Sequence, residues 1–473
     1  MTAGWGGITA GEIAAPIKGE ILSGRNDLIF KGLSTDSRYL KVGDLFWALK
    51  GERFDGHDYV RQAIEKGAAG VAIEKGKGVE PFQAENLAVI GVRDTLKALG
   101  DLAGWWRHQY GSPVAAITGS TGKTTTKEMT AQIFEVGAKT LKNQGNFNNL
   151  IGLPLTLLSM EDAHRRVVLE MGMNRAGEIG RLTEIADPDV GLITNVARAH
   201  LEGLGDIRGV ARAKVELLEK ISSGSQVILN GDDELLLETA SSFNRSVTTF
   251  GMKAENDIRA LKIKNMGPEG FSFELEYHGK VIPIRLGVPG FQNIYNAMAS
   301  SAIALCLNEP PENIIEGLNR FQGVKGRFML TRLEGGIMLV DDTYNSNPYS
   351  LRVAINSLRD LTVSGGRVIV GLGEMMELGD EAVSAHLEAG GMVAELGVSY
   401  FVAIGDHAEE LVKGAMNKGL PSERTAIVNT HGEMARKLWD VLETGDIVFL
   451  KGSRMAGLEK VAERLKRKST EEG

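Results

Sequence analysis

Residues Gly119-Ser120-Thr121-Gly122-Lys123-Thr124 follow the apolar run VAAIT and run into TTKEMTAQIFEV, where Met129, Ile133 and Val136 recur at helical spacing. Strand, glycine turn and helix in that order curl successive backbone N–H groups around one anion, and they aim the positive end of a helix dipole at it. Such a turn works at the carboxyl end of a parallel strand, so the chain has to build an α/β unit around it. Lys123 offers a full charge to the outer phosphates of a nucleotide, and the Thr124 hydroxyl is the expected Mg²⁺ ligand. The match covers the last part of the Walker A pattern; Ile117 stands where the full pattern has its first glycine.

With 473 residues the chain is too long for one compact core. The 53 basic against 61 acidic residues give a net charge of −8, which argues against a general nucleic-acid binder. The single cysteine, Cys306, lies in the apolar run AIALCLNEP and excludes an intrachain disulfide. No apolar run reaches the ~18 residues of a membrane span, and MTAGWGGITA lacks a basic segment followed by an apolar one. These features predict a cytoplasmic protein without membrane insertion.

The fold class expected is α/β in three domains: a small N-terminal α/β domain over residues 1–111, a central P-loop parallel-sheet domain over 112–326 and a C-terminal Rossmann-like domain over 327–473. In the first, GVAIE and LAVIGV read as strands, with DYVRQAIEKGAAG helical before them. Gly111-Ser112-Pro113 makes a joint, because proline stops a helix and glycine frees the turn. VAAIT, RVVLE, VGLIT and QVILN are buried parallel strands, and the alternating GFSFELEYHGKVIPIRL is an antiparallel hairpin. IMLVDD, RVIVGLG, YFVAIG and DIVFLKG supply the last sheet.

Two candidate metal ligands lie on the carboxyl-end side of strands. Glu170 closes RVVLE, where a carboxylate serves either as a solvated terminus or as a second metal ligand beside the phosphate loop. His200 lies beyond VGLIT, on the side where parallel sheets collect ligands; a surface role and a ligand role both fit it. Lys214 is misplaced for a solvated residue. It falls in the apolar stripe of Val210, Leu217 and Ile221. Either its amine snorkels to the helix edge, or it faces the metal site, where desolvation favours the neutral amine and allows reaction with CO₂ to a cation-binding carbamate.

TGSTGKTT, QGNFNN, LEMGMN, ARAHLE, AKVE, GRF and DDTYNSNP together resemble the Mur ligases, ATP-dependent amide-forming enzymes of peptidoglycan synthesis. The likeness runs over essentially the whole chain. STDSR, AHLEG, DDTYNSNP, GEMMELG and KGSR are most similar to the member that joins D-alanyl-D-alanine to UDP-N-acetylmuramoyl-tripeptide. The resemblance implies ATP and Mg²⁺ as cofactors and the two small molecules as partners, with no nucleic acid, in a monomer serving cell-wall growth, cell shape and division.

By resemblance, Gly119, Ser120, Thr121, Gly122, Lys123, Thr124 and Thr125 hold the nucleotide, with Asn293 and Asn296 near the adenine. Gln292 stands where the family commonly has histidine. Thr124, Glu170, His200 and the carbamylated Lys214 hold magnesium. Arg327 and Asp342 bring the last domain onto the nucleotide, so that Lys123, Lys214, His200 and Arg327 form the catalytic set. Asn146, Asn148, Asn149, Asn345, Ser346 and Asn347 are substrate-side residues, and Asp36, Ser37 and Arg38 belong to the uridine-nucleotide site. From pattern alone DDTYNSNP fits a plain turn as well as a ligand-facing loop. Two other functions remain in view. A diamino-acid-adding Mur ligase would carry an Asp-Asn-Pro-Arg run, absent here; a P-loop switch that makes no bond would need no UDP-sugar.

Overall fold

The computed structural model describes residues 3–51, 53–77, 86–361 and 366–471. Three sheets follow one another along the chain. The first runs in the order Ala3–Thr9, Ile29–Ser34, Asp44–Trp47, Gly70–Glu74, Ala88–Val92, Glu20–Ser23. Its four inner strands are parallel and its two edges antiparallel. Only the two strands Gly70–Glu74 and Ala88–Val92 stand out in the sequence. Of the others, AGWGGIT and IFKGLS are broken by glycines that mask the apolar alternation, and EILS and DLFW are only four residues long.

The second sheet has nine strands, in the order Lys280–Leu286, Phe271–Tyr277, Ile258–Asn265, Thr248–Gly251, Gln226–Asn230, Val190–Ile193, Val114–Thr118, Arg166–Glu170, Thr140–Lys142. Its members from Thr140–Lys142 to Ile258–Asn265 are parallel. The expected hairpin closes the far edge, with Tyr277 opposite Lys280. Val114–Thr118 is buried throughout, because helices cover both faces of a parallel sheet.

The third sheet runs Met329–Arg332, Met338–Asp342, Ile447–Lys451, Val368–Gly373, Tyr400–Ile404, Thr425–Val428, parallel except for its first strand.

The packing between units is unequal. One apolar core runs from the first sheet into the second, and Trp5 and Trp106 cross that boundary. The Trp5 indole N–H donates to the Leu158 carbonyl at 3.2 Å and that of Trp106 to Met160 at 3.3 Å, so both buried rings have their polar edge satisfied. The third sheet instead has a core of its own on each face. Val340 points into one and Leu339 into the other, as strand alternation requires. Polar contacts such as Arg327–Thr124 and Gln292–Ser357 reach it across a cleft. No helix among the described residues is long and apolar enough to cross a membrane.

Candidate active site

The cleft between the second and third sheets has a volume of about 1330 Å³. Its floor is the turn after Val114–Thr118. Gly119 has φ 144° and Gly122 φ 83°, and a Cβ on either would stand 1.9 Å from Thr194 Oγ1 or 2.5 Å from Asn296 Oδ1. Only glycine fits both the backbone and the space. The helix Lys123–Glu135 starts without a side-chain cap, leaving N–H groups for an anion. Asn195 braces the turn by accepting the Thr121 N–H at 3.0 Å. Lys123 Nζ lies back on its own loop, donating to the Gly119 carbonyl at 2.7 Å and the Ser120 carbonyl at 3.3 Å. Desolvation, reinforced by the Arg327 guanidinium, lowers its pKa.

Glu170 is 3% exposed at the end of its strand. Asn143 fixes its backbone, accepting the Glu170 N–H at 2.9 Å and donating to its carbonyl at 2.8 Å. Asn148 donates to Oε1 at 2.8 Å. Oε2 has no hydrogen-bond partner, and the Lys127 ammonium stops 4.0 Å away. An orphaned buried carboxylate oxygen costs about 1–3 kcal/mol, and a cation beside Thr124 would satisfy it. Among the described residues no three His, Cys, Asp or Glu side chains form a metal-binding group. The observation that favours an ion here is the unpartnered Glu170 Oε2, because Mg²⁺ is a hard cation that binds carboxylate and phosphate oxygens. The residues fit the ion.

His200 lines the same cleft at φ 55°, a left-handed backbone uncommon outside glycine. Its Nδ1 is 2.6 Å from Glu377 Oε2 of the third unit, and this contact holds the Glu377 carboxyl below its usual range. Lys214 sits on the helix Ile207–Lys220 and is 1% exposed. Burial, then the nearby Lys123 ammonium, drive its pKa well below that of a free lysine. At 1% exposure the amine does not snorkel to solvent, and burial favours its neutral form.

The opposite wall comes from the third unit. Arg327 donates from Nη2 to Thr124 Oγ1 at 3.2 Å, and its guanidinium stacks 4.0 Å over the Tyr344 ring. Arg454 approaches the same ring at 5.5 Å. Lys451, 2% exposed at the end of its strand, donates to Asp342 Oδ2 at 2.6 Å and to the Asn345 carbonyl at 2.9 Å. Desolvation pushes the Asp342 carboxyl up and the Lys451 ammonium down, each toward neutrality. That pair anchors the Asn345–Asn347 turn. Asn296 Nδ2 donates to Asn293 Oδ1 at 3.1 Å, so the two amides form one unit. Gln292 crosses the cleft, accepting the Ser357 hydroxyl at 2.7 Å.

The cleft gathers Ser120, Thr121, Gly122, Lys123, Thr124 and Thr125 with Asn293, Asn296, Arg327 and Asp342. Asn146, Asn148, Asn149, Asn345, Ser346 and Asn347 line it too. Asp36, Ser37 and Arg38 do not. They lie in the first unit, where Arg38 Nη2 pairs with Asp36 at 2.7 Å and the Ser37 hydroxyl donates to Gln62 at 2.7 Å. Asn195, Tyr344, Lys451 and Glu377 carry no assigned role in the sequence. KGSR and GEMMELG mark Lys451 and Glu377 as motif members, but only the folded chain shows what they touch.

Three family models match in series: "Mur ligase family, catalytic domain" over residues 29–107, "Mur ligase middle domain" over 117–304 and "Mur ligase, glutamate ligase domain" over 326–454. The UDP-N-acetylmuramoyl-tripeptide–D-alanyl-D-alanine ligase of Bacillus subtilis is 33% identical over 458 residues, 97% of this chain and 98% of that protein. A MurF crystal structure from Acinetobacter baumannii superposes with a TM-score of 0.86 at 34% identity, covering 98% of this chain and 99% of that one. The MurF ligase from Thermotoga maritima in complex with ADP superposes at 0.82 with 27% identity, covering 93% and 98%. With matches of this extent on all three units, the chain belongs to the Mur ligase family.

Proposed function

We propose that this chain is the ATP-dependent ligase that joins D-alanyl-D-alanine to UDP-N-acetylmuramoyl-tripeptide, releasing ADP and phosphate. The observation that carries the reading is the pairing of an anion-ready phosphate loop with Arg327 reaching Thr124 from the opposite wall. Residues 1–111 hold the UDP-sugar, with Asp36, Ser37 and Arg38 at the uridine nucleotide. Residues 112–326 hold ATP, and residues 327–473 present the dipeptide near Asn345, Ser346 and Asn347. The protein works as a cytoplasmic monomer.

A carboxylate is a poor electrophile, so the tripeptide's terminal carboxylate first attacks the γ-phosphorus of ATP, giving an acyl phosphate and ADP. The amine of the dipeptide then attacks the acyl carbon, loses a proton, and phosphate departs with the acyl oxygen. Lys123 leaves its loop carbonyls for the phosphates, and Arg327 adds a second cation as charge spreads over the transferred group. Thr124, Glu170, His200 and the carbamate of Lys214 would hold Mg²⁺, which when bound neutralises phosphate charge. Asn293 and Asn296 orient the base, while Asn146, Asn148 and Asn149 lie on the acceptor-peptide side. Water must stay out until the amine arrives, because an acyl phosphate hydrolyses readily.

The test is phosphate release by purified protein with ATP and the UDP-tripeptide. Release that requires D-alanyl-D-alanine and matches peptide-bond formation supports the reading. Release indifferent to the UDP-tripeptide, as in a P-loop switch, or stimulated by a diamino acid instead, refutes it.

A further inference from the structure

Two non-glycine residues with left-handed backbones face each other across the cleft. His200 has φ 55° and Glu377 φ 63°. Backbone strain of about 1–3 kcal/mol at a non-glycine residue persists only where surrounding contacts enforce it. Here the contact is their own. His200 Nδ1 lies 2.6 Å from Glu377 Oε2, and the Glu202 N–H points to the Glu377 carbonyl at 3.5 Å. Arg198 approaches Glu381 at 3.4 Å, so two side-chain contacts join the same two loops.

The Glu377 loop is held from behind. His386, fully buried, accepts the Met375 N–H on Nε2 at 2.8 Å, and its Nδ1–H donates to the Ala382 carbonyl at 2.6 Å. Met376 and Glu377 thus project from a fixed base toward the second unit, and both line the cleft.

We propose that Glu377 is a positioning residue that latches the third unit over the phosphate loop by gripping His200, so that the cleft stays shut while the acyl phosphate exists. This rests on the ligase reading above. Without the latch the cleft opens between the two chemical steps. Water then attacks the acyl phosphate, regenerating the carboxylate and releasing phosphate, so that ATP is consumed without a new amide bond.

Glu377 is about half exposed at the loop (48%), so replacing it leaves the cores intact. The experiment compares full-length wild type, Glu377→Ala and Glu377→Gln; glutamine keeps the side-chain length and an oxygen that can stand beside His200 Nδ1. Phosphate released is divided by peptide bonds formed, and the radius of gyration is measured by solution scattering with a non-hydrolysable ATP analogue. For Glu377→Ala we expect several-fold more phosphate per bond, ligation kcat down ~10-fold with KM for ATP little changed, and no compaction by the analogue. Glu377→Gln should restore coupling and compaction most of the way. A coupling ratio of one together with normal compaction in Glu377→Ala overturns the latch, as does a glutamine variant as defective as alanine. Absence of any ligation by wild type would overturn the ligase reading instead.

Discussion

Arg327 Nη2 donates to the Thr124 hydroxyl at 3.2 Å, tying the start of the third unit to the first turn of the phosphate-loop helix. The Tyr344 ring stacks on the guanidinium at 4.0 Å, which holds it in place. A cation delivered this way acts when charge develops on the transferred group more than when ATP first docks. Arg327→Ala should therefore lower kcat ~100-fold, as loss of one preorganised donor does elsewhere, while ATP affinity changes only a few-fold. Equal losses in both, measured by steady-state kinetics and calorimetric ATP binding, would contradict the assignment.

Lys214 is buried beside Lys123 with its ammonium form disfavoured. Its neutral amine can add CO₂, losing one proton to give an anionic carbamate. Protein equilibrated with ¹³C-bicarbonate should show one carbamate carbon signal that disappears in Lys214→Met, and stripping CO₂ should lower ligation. An unchanged spectrum in the variant would rule the modification out at this residue.

His386 supplies a pH prediction. Burial lowers its pKa, with His407 adding to the effect against the Ala382 carbonyl and Glu410, which oppose it. The folded ring therefore refuses a proton that the unfolded chain, with a histidine pKa of about 6.5, accepts. Its contribution is complete above that value and is lost as pH falls below it. Melting temperature should decline between pH 7 and pH 5, and the decline should be shallower in His386→Gln. His164, also lowered by burial, leaves a residual slope. Identical slopes in both proteins would remove His386 from the account.

The sequence shows the phosphate loop plainly because strand, glycines, lysine and helix are contiguous, so local backbone rules suffice. Lys214 is legible for a related reason: a charge within an apolar helical stripe conflicts with burial unless its proton is lost. The opposite wall is another matter. Lys451 and Glu377 acquire meaning only when strands and loops far apart in the chain meet, as Lys451 does with Asp342 and Glu377 with His200, and no period or spacing encodes that meeting. Asn195 and Asn143 are hidden similarly, as polar residues whose partners are backbone groups of distant loops. In the first sheet, glycine-broken strands such as AGWGGIT lack the alternation that would reveal them.

The central claim is that a phosphoryl group passes from ATP to the tripeptide carboxylate before the amide forms. The direct measurement uses UDP-tripeptide carrying ¹⁸O in that carboxylate and follows the label by mass spectrometry of the released phosphate. One labelled oxygen transferred to phosphate for each amide bond formed is the predicted result. Ligation that proceeds while the phosphate stays unlabelled would contradict the mechanism.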